Sequence, residues 1–586
     1  MSRRDYVSLA VSQFADDNQK VKRIKLWRWW KQKSRFERSF LLLLAALSLL
    51  FIIFVIPDWY KLQSLHNLEE LKIEPVDIQN PLVENEVFVE NEQIPDPNAK
   101  LFPENVQPQP QIAEPDKSER KPEPERIKVY FSGPTNERQS AVVSAFKYAW
   151  AAYKEHAWGH DHLKPISKTY SDWFGLGLTI VDSVDTILIM GLKEEYDDAR
   201  QYISEVLNFD KNKDVNCFEV TIRVLGGLLG TYHLTNDELF KNKAVDLADR
   251  LLPCFSSKSG IPYSDVNLRS HRSHPPRWGP DSSVSEVSTI QIEFKDLSRL
   301  TGDPKYEAAA DKVSQHLHEQ PKQDGLVPIF INAETGRFRP YTTITLGARA
   351  DSYYEYLLKQ WVQTGKTKDF LLKDYNASIN GMINNLLRYS EPNKLAFMGE
   401  LINGKNFKPK MDHLACYLPA ILILGYHHGL PLKHFHLAQE LIYTCYQMYV
   451  RMPTKLAPEI VHFNLNPTVG EDLIVKVADT HNLLRPETIE SLWYMYHFTK
   501  NKTYQEWGWE IFQAFEKHTK IIDGGYSSIS NVKNPDDTQS KDMMESFFLG
   551  ETLKYFYLLF SKDQKTLSLD KWVFNTEAHP LKIWTS

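Results

Sequence analysis

Turns interrupt the helical periodicity of this chain at nearly equal intervals, and that spacing limits the folds open to it. From about residue 130, apolar side chains recur at helical spacing, as in Phe218, Ile222, Leu225 and Leu229. Each helical stretch ends in a short polar or glycine turn, and an aromatic or aliphatic anchor then begins the next. The clear turn markers are Thr235, Thr301, Thr364 and Thr499, and weaker ones lie at Gly429 and Ser561. Their spacings are 66, 63, 65, 70 and 62 residues, which predicts stacked helical hairpins.

The number of turns favours a closed ring over an open stack. With a further turn at Gly191, seven junctions fit between residue 130 and the C-terminus. An open solenoid needs polar capping hairpins at both ends, whereas Ala578–Ser586 contains Pro and Trp and reads as packed. We therefore predict an all-α domain, an (α/α)7 barrel of helical hairpins over residues 131–586. The insertions Ser256–Pro280 and Ile521–Ser540 are expected to line one mouth of the ring.

The N-terminal region predicts a membrane anchor. Residues 20–38 hold nine basic side chains and one acid, Glu37, and the apolar run Phe40–Ile56 that follows is broken only by Ser48. A cleaved signal peptide and a buried core helix fit less well, because the basic arm is long and no small-x-small cleavage site follows. We predict a cytoplasmic tail over 1–39 and a type II signal anchor over 40–60, which places the remainder in the lumen.

Residues 61–130 predict a lumenal stem. Ten prolines lie between Pro75 and Pro124, among many Glu, Asn and Gln residues. Such a composition buries too little apolar surface to offset the entropy of ordering, so a disordered, extended spacer is expected. The net charge of the whole chain is −6, which argues against nucleic acid as its main partner.

Cysteines and sequons are few. In an oxidising lumen one pair of cysteines could form a disulfide, and the sequence alone does not fix which pair. The cysteines are Cys217, Cys254, Cys416 and Cys445. Asn376 and Asn501 begin glycosylation sequons that are usable if the domain is lumenal.

Three acids stand in apolar or aromatic helical contexts, where a solvated charge is unusual. Glu219 lies near the start of an apolar helix, one turn before Arg223, and a simple helix-start ion pair is the plainer interpretation. Asp351 precedes an aromatic helix, so a helix N-cap is the competing role. Glu487 follows Pro486, where acids are favoured by the helix dipole. Glycoside hydrolysis requires two such carboxyls on opposite sides of a sugar carbon.

The C-terminal segments add oxygen donors and aromatic rings. The sequences are Glu545-Ser546-Phe547-Phe548-Leu549-Gly550-Glu551 and Phe574-Asn575-Thr576-Glu577-Ala578-His579. Carboxylates, an aromatic ring and a threonine hydroxyl are chemically suited to a hard cation and a sugar.

Taken together, these segments resemble a known family. With Ser264-Asp265-Val266-Asn267, His274-Pro275-Pro276-Arg277-Trp278 and Lys410-Met411-Asp412-His413, they are similar to the class I α-1,2-mannosidases, glycoside hydrolase family 47. The resemblance runs from about residue 135 to the C-terminus and is strongest to the endoplasmic-reticulum members, partly because of Met411-Asp412-His413.

The resemblance implies an inverting, calcium-dependent glycosidase. Glu219 corresponds to the family's proposed general acid, Glu487 to its proposed general base and Asp351 to a third essential carboxylate. Thr576 corresponds to the residue that binds Ca²⁺, and Cys416 and Cys445 to the family disulfide. Cys217 and Cys254 are then expected to be free, with Cys217 a small buried side chain. The residues that correspond to substrate-binding positions are Arg223, Glu286, Arg349, His413, Arg485, Glu490, Phe547, Glu551 and Glu577.

The resemblance also implies the substrate and the compartment. The expected substrates are Man9GlcNAc2-type high-mannose N-glycans on glycoproteins, trimmed during maturation and quality control in the endoplasmic reticulum. The expected address is the endoplasmic-reticulum membrane, with the Golgi also open because the sequence has no KDEL-type tail. The alternative function is a mannose-binding quality-control lectin of the same fold that does not turn over its ligand.

Overall fold

The computed structural model describes residues 131–277 and 279–585. The predicted tail (1–39), anchor (40–60) and stem (61–130) lie outside these residues. Within them, no helix combines the length and apolar character needed to cross a bilayer.

Helices dominate the described part of the chain, which confirms the helix-rich prediction. They are α1 Glu137–His156, α2 Leu178–Ile189, α3 Lys193–Glu205, α4 Cys217–Val220, α5 Gly226–Thr235, α6 Glu238–Leu251, α7 Val284–Ser288, α8 Gln291–Thr301, α9 Lys305–Glu319, α10 Asp351–Gln363, α11 Asp369–Asn385, α12 Leu418–His427, α13 Leu432–Val450, α14 Glu487–Thr499, α15 Thr503–His518 and α16 Leu553–Phe560. A π turn, Thr221–Leu225, joins α4 to α5, and a second, Phe548–Thr552, leads into α16.

Consecutive helices pack as hairpins, and one helix of each hairpin packs against the next hairpin. The hairpins are α2/α3, α5/α6, α8/α9, α10/α11, α12/α13 and α14/α15. Contacts between neighbouring hairpins run α2–α5–α8–α10–α12–α14–α16, and the π turn before α16 contacts α2 again, so the circuit closes. Helices of this circuit, such as α10 and α12, are buried on nearly every side, whereas α3 and α6 bury one stripe.

The turns that join the two helices of each hairpin lie where the sequence predicts them, with one exception. Asn236, Gly302 and Lys500 adopt left-handed backbone at the ends of α5, α8 and α14, with φ values of 56°, 74° and 57°. The prediction at Ser561 is wrong, because α16 ends there but no helix follows among residues 561–585. The partner of α16 is α1, so the first and the last described helices form the remaining hairpin.

Short strands occupy the loops, which the all-α prediction did not include. All pairs are antiparallel: β1 His162–Lys164 with β2 Thr169–Ser171; β3 Asp214–Asn216, β4 Asp265–Asn267 and β5 Ser273–His274; β6 Asp281–Ser283 with β7 Phe330–Asn332; β8 Leu387–Tyr389 with β9 Ala396–Met398; β10 Glu400–Ile402 with β11 Asn406–Lys408; β12 Lys410–Asp412, β13 Ile460–Phe463 and β14 Leu473–Ile474; β15 Lys520–Ile521 with β16 Gly525–Tyr526; β17 Trp572–Phe574 with β18 Pro580–Lys582. Strands this short carry too few residues for a readable alternation of polar and apolar side chains.

Candidate active site

The three predicted catalytic acids lie in the first turns of helices. Glu219 is in α4, whose N-cap is Asn216, while Asp351 and Glu487 are the first residues of α10 and α14. The N-terminus of a helix carries a partial positive charge, which favours a carboxylate there. The N-cap role considered for Asp351 is wrong, because Ala350 occupies that position without a side-chain cap.

Arg223 joins Glu219 to the C-terminal segment. Its Nε donates to Glu219 Oε2 at 3.0 Å, and its terminal nitrogens lie 3.0 and 2.8 Å from the two carboxylate oxygens of Glu577. The π turn begins between Glu219 and Arg223, yet the two side chains still meet. The helix-start ion pair is therefore real, and it extends into a network that spans more than 350 residues of sequence.

Glu487 lies in a second network. Its Oε2 is 2.9 Å from His413 Nδ1, while His413 Nε2 is 2.8 Å from the Tyr449 hydroxyl. Burial acts to raise the pKa of Glu487, but the hydrogen bond to His413 and the charge of Arg485 outweigh it, and the pKa is lowered. Glu487 is therefore held ionised, which is the state a general base requires.

The ring of Phe547 connects these two networks. The guanidinium groups of Arg223 and Arg485 lie 5.7 and 5.8 Å from its centroid. Arg485 is itself held by Glu459, at 2.7 Å from its Nε. Glu219 and Glu487 therefore belong to one site, linked through the arginines that contact the Phe547 ring.

Asp351 joins the same site and favours its protonated form. Its Oδ1 accepts hydrogen bonds from the Ser285 hydroxyl at 2.8 Å and the Ser352 amide at 2.9 Å. Burial is the main cause that raises the pKa of Asp351, and the charges of Glu355 and Glu487 act in the same direction. The two hydrogen bonds act against them, and the resulting pKa is about 7. A carboxyl that is half protonated near neutral pH can hold or pass a proton.

Arg349 and Glu286 frame this side of the site. The Arg349 carbonyl accepts from the Ser285 amide at 2.9 Å, and its guanidinium lies 5.0 Å from the Phe330 ring centroid. Glu286 accepts from Asn216 Nδ2 at 2.8 Å, and Asn216 in turn caps the helix of Glu219. Glu286 therefore fixes the base of the helix that carries the proposed acid.

Thr576 connects to a set of charges that the sequence analysis missed in part. Its hydroxyl donates to Glu355 Oε2 at 2.8 Å, and the other oxygen of Glu355 lies 2.6 Å from Lys359 Nζ. Lys359 also lies 3.3 Å from Glu490. Burial raises the pKa of Glu490 to about 7, against the charge of Lys359. Glu355 stands one helical turn after Asp351, a spacing that would have identified it.

Glu551 and Glu577 share a proton. Burial and then the neighbouring Glu577 raise the pKa of Glu551 well above its ordinary range, and burial raises the pKa of Glu577 to about 7 against the charge of Arg223. Because Glu577 is paired with Arg223, we assign the shared proton to Glu551.

A hard cation fits these residues. The buried acids outnumber Arg223, Lys359 and Arg485, so positive charge is in deficit. The Thr576 hydroxyl gives its proton to Glu355, which leaves its oxygen lone pairs available. Among residues 131–277 and 279–585, no group of three or more His, Cys, Asp or Glu side chains is arranged to hold a metal. Ca²⁺ accepts six to eight oxygens in flexible geometry, so water and sugar hydroxyls can complete such a shell.

Comparison with known sequences decides the family. The Glycosyl hydrolase family 47 signature matches residues 145–583. The chain belongs to this family. It is 47% identical to the human endoplasmic reticulum mannosyl-oligosaccharide 1,2-alpha-mannosidase, over 99% of this chain and 93% of that protein. It is 58% identical to the mouse protein of the same name, over 77% of this chain and 69% of that protein.

A solved family structure has the same fold. The α-1,2-mannosidase from Trichoderma reesei superposes with a TM-score of 0.71 at 28% identity, covering 77% of this chain and all of that chain. The described residues therefore correspond to a complete family 47 domain.

A second buried network lies directly behind the family 47 site, and the sequence analysis did not find it. His579 is 2.8 Å from Asp185 and 3.2 Å from Asp182, and Lys554 is 3.0 Å from Asp185. These four side chains are fully buried. Asp182 also lies 3.8 Å from Arg223, so this network abuts the floor of the site. Asp182 and Asp185 stand three residues apart in the largely apolar helix α2. That is the same context that selected the three predicted acids, so it could have identified this pair.

The disulfide implied by the resemblance is confirmed. Cys416 and Cys445 are joined, which ties the segment after His413 to α13. Cys217 and Cys254 are free and buried, as expected. Of the sequon asparagines, Asn501 is exposed and Asn376 is half-buried, and their glycosylation stays a prediction.

Proposed function

We propose that this family 47 protein is a calcium-dependent, inverting exo-α-1,2-mannosidase that removes terminal mannose from Man9GlcNAc2-type N-glycans. One observation carries the proposal: Glu219, Asp351, Glu487 and Thr576, distant in sequence, belong to one network of acids around Phe547. The names of the human and mouse relatives support a mannosyl-oligosaccharide substrate and the α-1,2 linkage.

The residues of this chain divide the chemistry between them. Glu487, ionised and oriented by His413, takes a proton from the attacking water. Glu219 gives a proton to the departing sugar oxygen, and Arg223 orients it. Asp351, with its pKa near 7, supplies protons to this side of the cavity. Phe547 offers an apolar face to the ring of the terminal mannose.

Thr576 would hold the cation, and Glu355 would orient its hydroxyl. Bound there, Ca²⁺ would coordinate vicinal sugar hydroxyls and favour a distorted ring, which lowers the cost of reaching an oxocarbenium-like transition state. Glu490, Glu551 and Glu577 would accept hydrogen bonds from the waters and hydroxyls around it.

The proposal also includes the barrel architecture and the cellular location. The closed circuit of helix contacts supports an (α/α)7 barrel. The apolar run Phe40–Ile56 supports a type II membrane anchor, and the names of the relatives support the endoplasmic reticulum as the compartment. A role in glycoprotein quality control is part of the same proposal.

The test is digestion of a Man9 glycan by the full chain with and without a calcium chelator. We expect release of mannose only with calcium, and we expect NMR of the first product to show the β-anomer. Equal release in both samples would contradict the calcium dependence, an α-anomer would contradict inversion, and no release in either would contradict the activity.

A further inference from the structure

A separate cavity of about 670 Å³ opens beside the loop that leads into α10. This volume is within the range of small-molecule sites. Its walls combine amide groups, a hydroxyl, two aromatic rings and cationic side chains. The lining residues that matter here are Gln323, Phe338, Tyr341, Thr342, Asn403 and Lys405.

Tyr341 is the unusual residue of this cavity. Its side chain is 75% exposed, and its backbone is left-handed, with φ of 58°. It follows Pro340 in a turn closed by the Thr342 hydroxyl, which donates to the Arg339 carbonyl at 3.0 Å. Glycine or asparagine suits such a position better than a bulky aromatic residue. Neither the turn nor the burial of apolar surface explains a tyrosine here, so a role in binding is the better account.

The chemistry of the cavity suits a neutral sugar. The flat face of Tyr341 can pack against the C–H face of a pyranose, while Gln323, Asn403 and Thr342 can exchange hydrogen bonds with its hydroxyls. The β10–β11 turn at Gly404 borders the same space, since a methyl group there would be in ordinary van der Waals contact with Gln323 Oε1, at 3.6 Å, and with the Thr342 carbonyl, at 3.9 Å. The Lys405 ammonium lies 5.9 Å from the Tyr341 ring centroid.

The cavity is joined to the active site by continuous structure. Ile344 and Leu401 exchange two backbone hydrogen bonds of 3.0 Å, which fix the β10–β11 hairpin beside the loop. The same loop begins with β7, whose Phe330 lies under Arg349, and it ends at Asp351. One loop therefore borders the cavity on one side and carries Arg349 and Asp351 on the other.

We infer that this cavity is a non-catalytic subsite for a neutral mannose arm of the branched N-glycan, with Tyr341 as its platform. The inference rests on the proposed function, because it assumes that the arm at the catalytic acids belongs to the same glycan.

The test compares Tyr341→Gly with wild type on a branched Man9 glycan and on an α-1,2-linked mannose disaccharide. Glycine relieves the left-handed position, so thermal stability should not fall. Loss of one stacking contact should raise KM for the branched glycan about fivefold, with kcat within about twofold. The disaccharide, which cannot reach the cavity, should keep its kcat/KM. Tyr443→Ala, a matched change at an exposed tyrosine on α13, should match wild type on both substrates.

Each other outcome overturns a distinct statement. Wild-type protein that cleaves neither substrate contradicts the proposed function. Wild-type activity with an unchanged KM in Tyr341→Gly contradicts the subsite. An equal loss on both substrates means that the loop only positions Arg349. An effect seen with a glycopeptide but absent with the released glycan means that the cavity binds polypeptide instead of sugar.

Discussion

The active-site floor is largely buried and the network directly behind it is fully buried, but the two regions differ in how their buried charges are balanced. Behind the floor, Asp182 and Asp185 face His579 and Lys554. Burial opposes the ionised form of Asp182, but the hydrogen bond to His579 outweighs it, and the pKa of Asp182 is lowered. Burial likewise opposes protonation of His579, but Asp185 outweighs it, and the pKa of His579 is raised. Acid and base are matched there.

On the floor itself several carboxyls have too few cationic partners, and burial favours their protonated form. The pKa values of Asp351, Glu490 and Glu577 are raised to about 7, with burial the main cause in each case. Buried acids that are each paired with a cationic side chain hold the fold together. Buried acids without such a partner are available to bind a cation and sugar hydroxyls. The comparison therefore separates residues that hold the fold from residues that act.

The largest expected effect is on catalysis by Glu487→Gln. Loss of the ionised base should lower kcat for Man9 glycan about 10²–10⁴-fold, measured as released mannose. Glu506→Gln, at an exposed position on α15, is the matched control and should keep full activity. If wild type and Glu487→Gln are equally inactive yet equally retained on a mannose column, the protein is a lectin and not a hydrolase.

The next effect is on stability and comes from the matched network. Lys554→Met removes one of the two cationic partners of the buried carboxylate of Asp185 and leaves only His579. The free energy of unfolding should therefore fall by about 3–5 kcal/mol in urea titrations. Lys562→Met removes an exposed lysine nearby in sequence and should change it by less than about 0.5 kcal/mol. Equal effects of the two changes would remove the distinction drawn between the regions.

Calcium should stabilise the unmatched floor. At a hundredfold excess over its Kd, the cation should raise the free energy of unfolding by about 2.7 kcal/mol. Binding should also release protons at pH 6.5 and fewer at pH 8, because Asp351 and Glu490 still hold protons at the lower pH. Calorimetry in buffers of different ionisation enthalpy measures this release, and pH-independent proton release would contradict the assignment.

The same raised pKa values fix how stability depends on pH without calcium. Between about pH 4.5 and 7, Asp351, Glu490 and Glu577 hold more protons in the folded state than in the unfolded state, so their contribution to the free energy of unfolding falls as pH rises. The loss should be complete above about pH 8. Calcium should flatten this dependence, and a calcium-free profile that rises from pH 5 to 7 would be the opposite result.

The smallest expected effect comes from Glu551→Gln. The amide replaces a protonated carboxyl and can still donate to Glu577, so the protein no longer has to take up a proton at this position on folding, and no cavity opens. The free energy of unfolding should rise by about 1 kcal/mol at pH 8, where the shared proton is most costly to keep. A loss of several kcal/mol, like that expected for Lys554→Met, would show that Glu551 is structural.

Local sequence predicted much of this architecture. Asn236 and Gly302 stand where the turn requires a left-handed backbone, a conformation that Asn and Gly adopt readily. The spacing of apolar residues located the helices between these turns. The family motifs gave Glu219, Asp351 and Glu487 as candidate acids, and the structure brings all three into one site. The split hairpin of α1 and α16 was not predicted, because a repeat count assumes that both helices of a unit are adjacent in sequence.

What the sequence determined by itself is where helices begin and end and which acids stand on apolar faces, since both depend on neighbours within a few residues. Only the tertiary structure decided which of those acids are paired with a cationic side chain and which are protonated. Asp182 and Glu577 look alike in sequence, yet one is ionised against His579 and the other shares a proton with Glu551. The reason is physical: the charge state of a buried carboxyl depends on the groups within a few ångströms, and here those groups come from the far end of the chain.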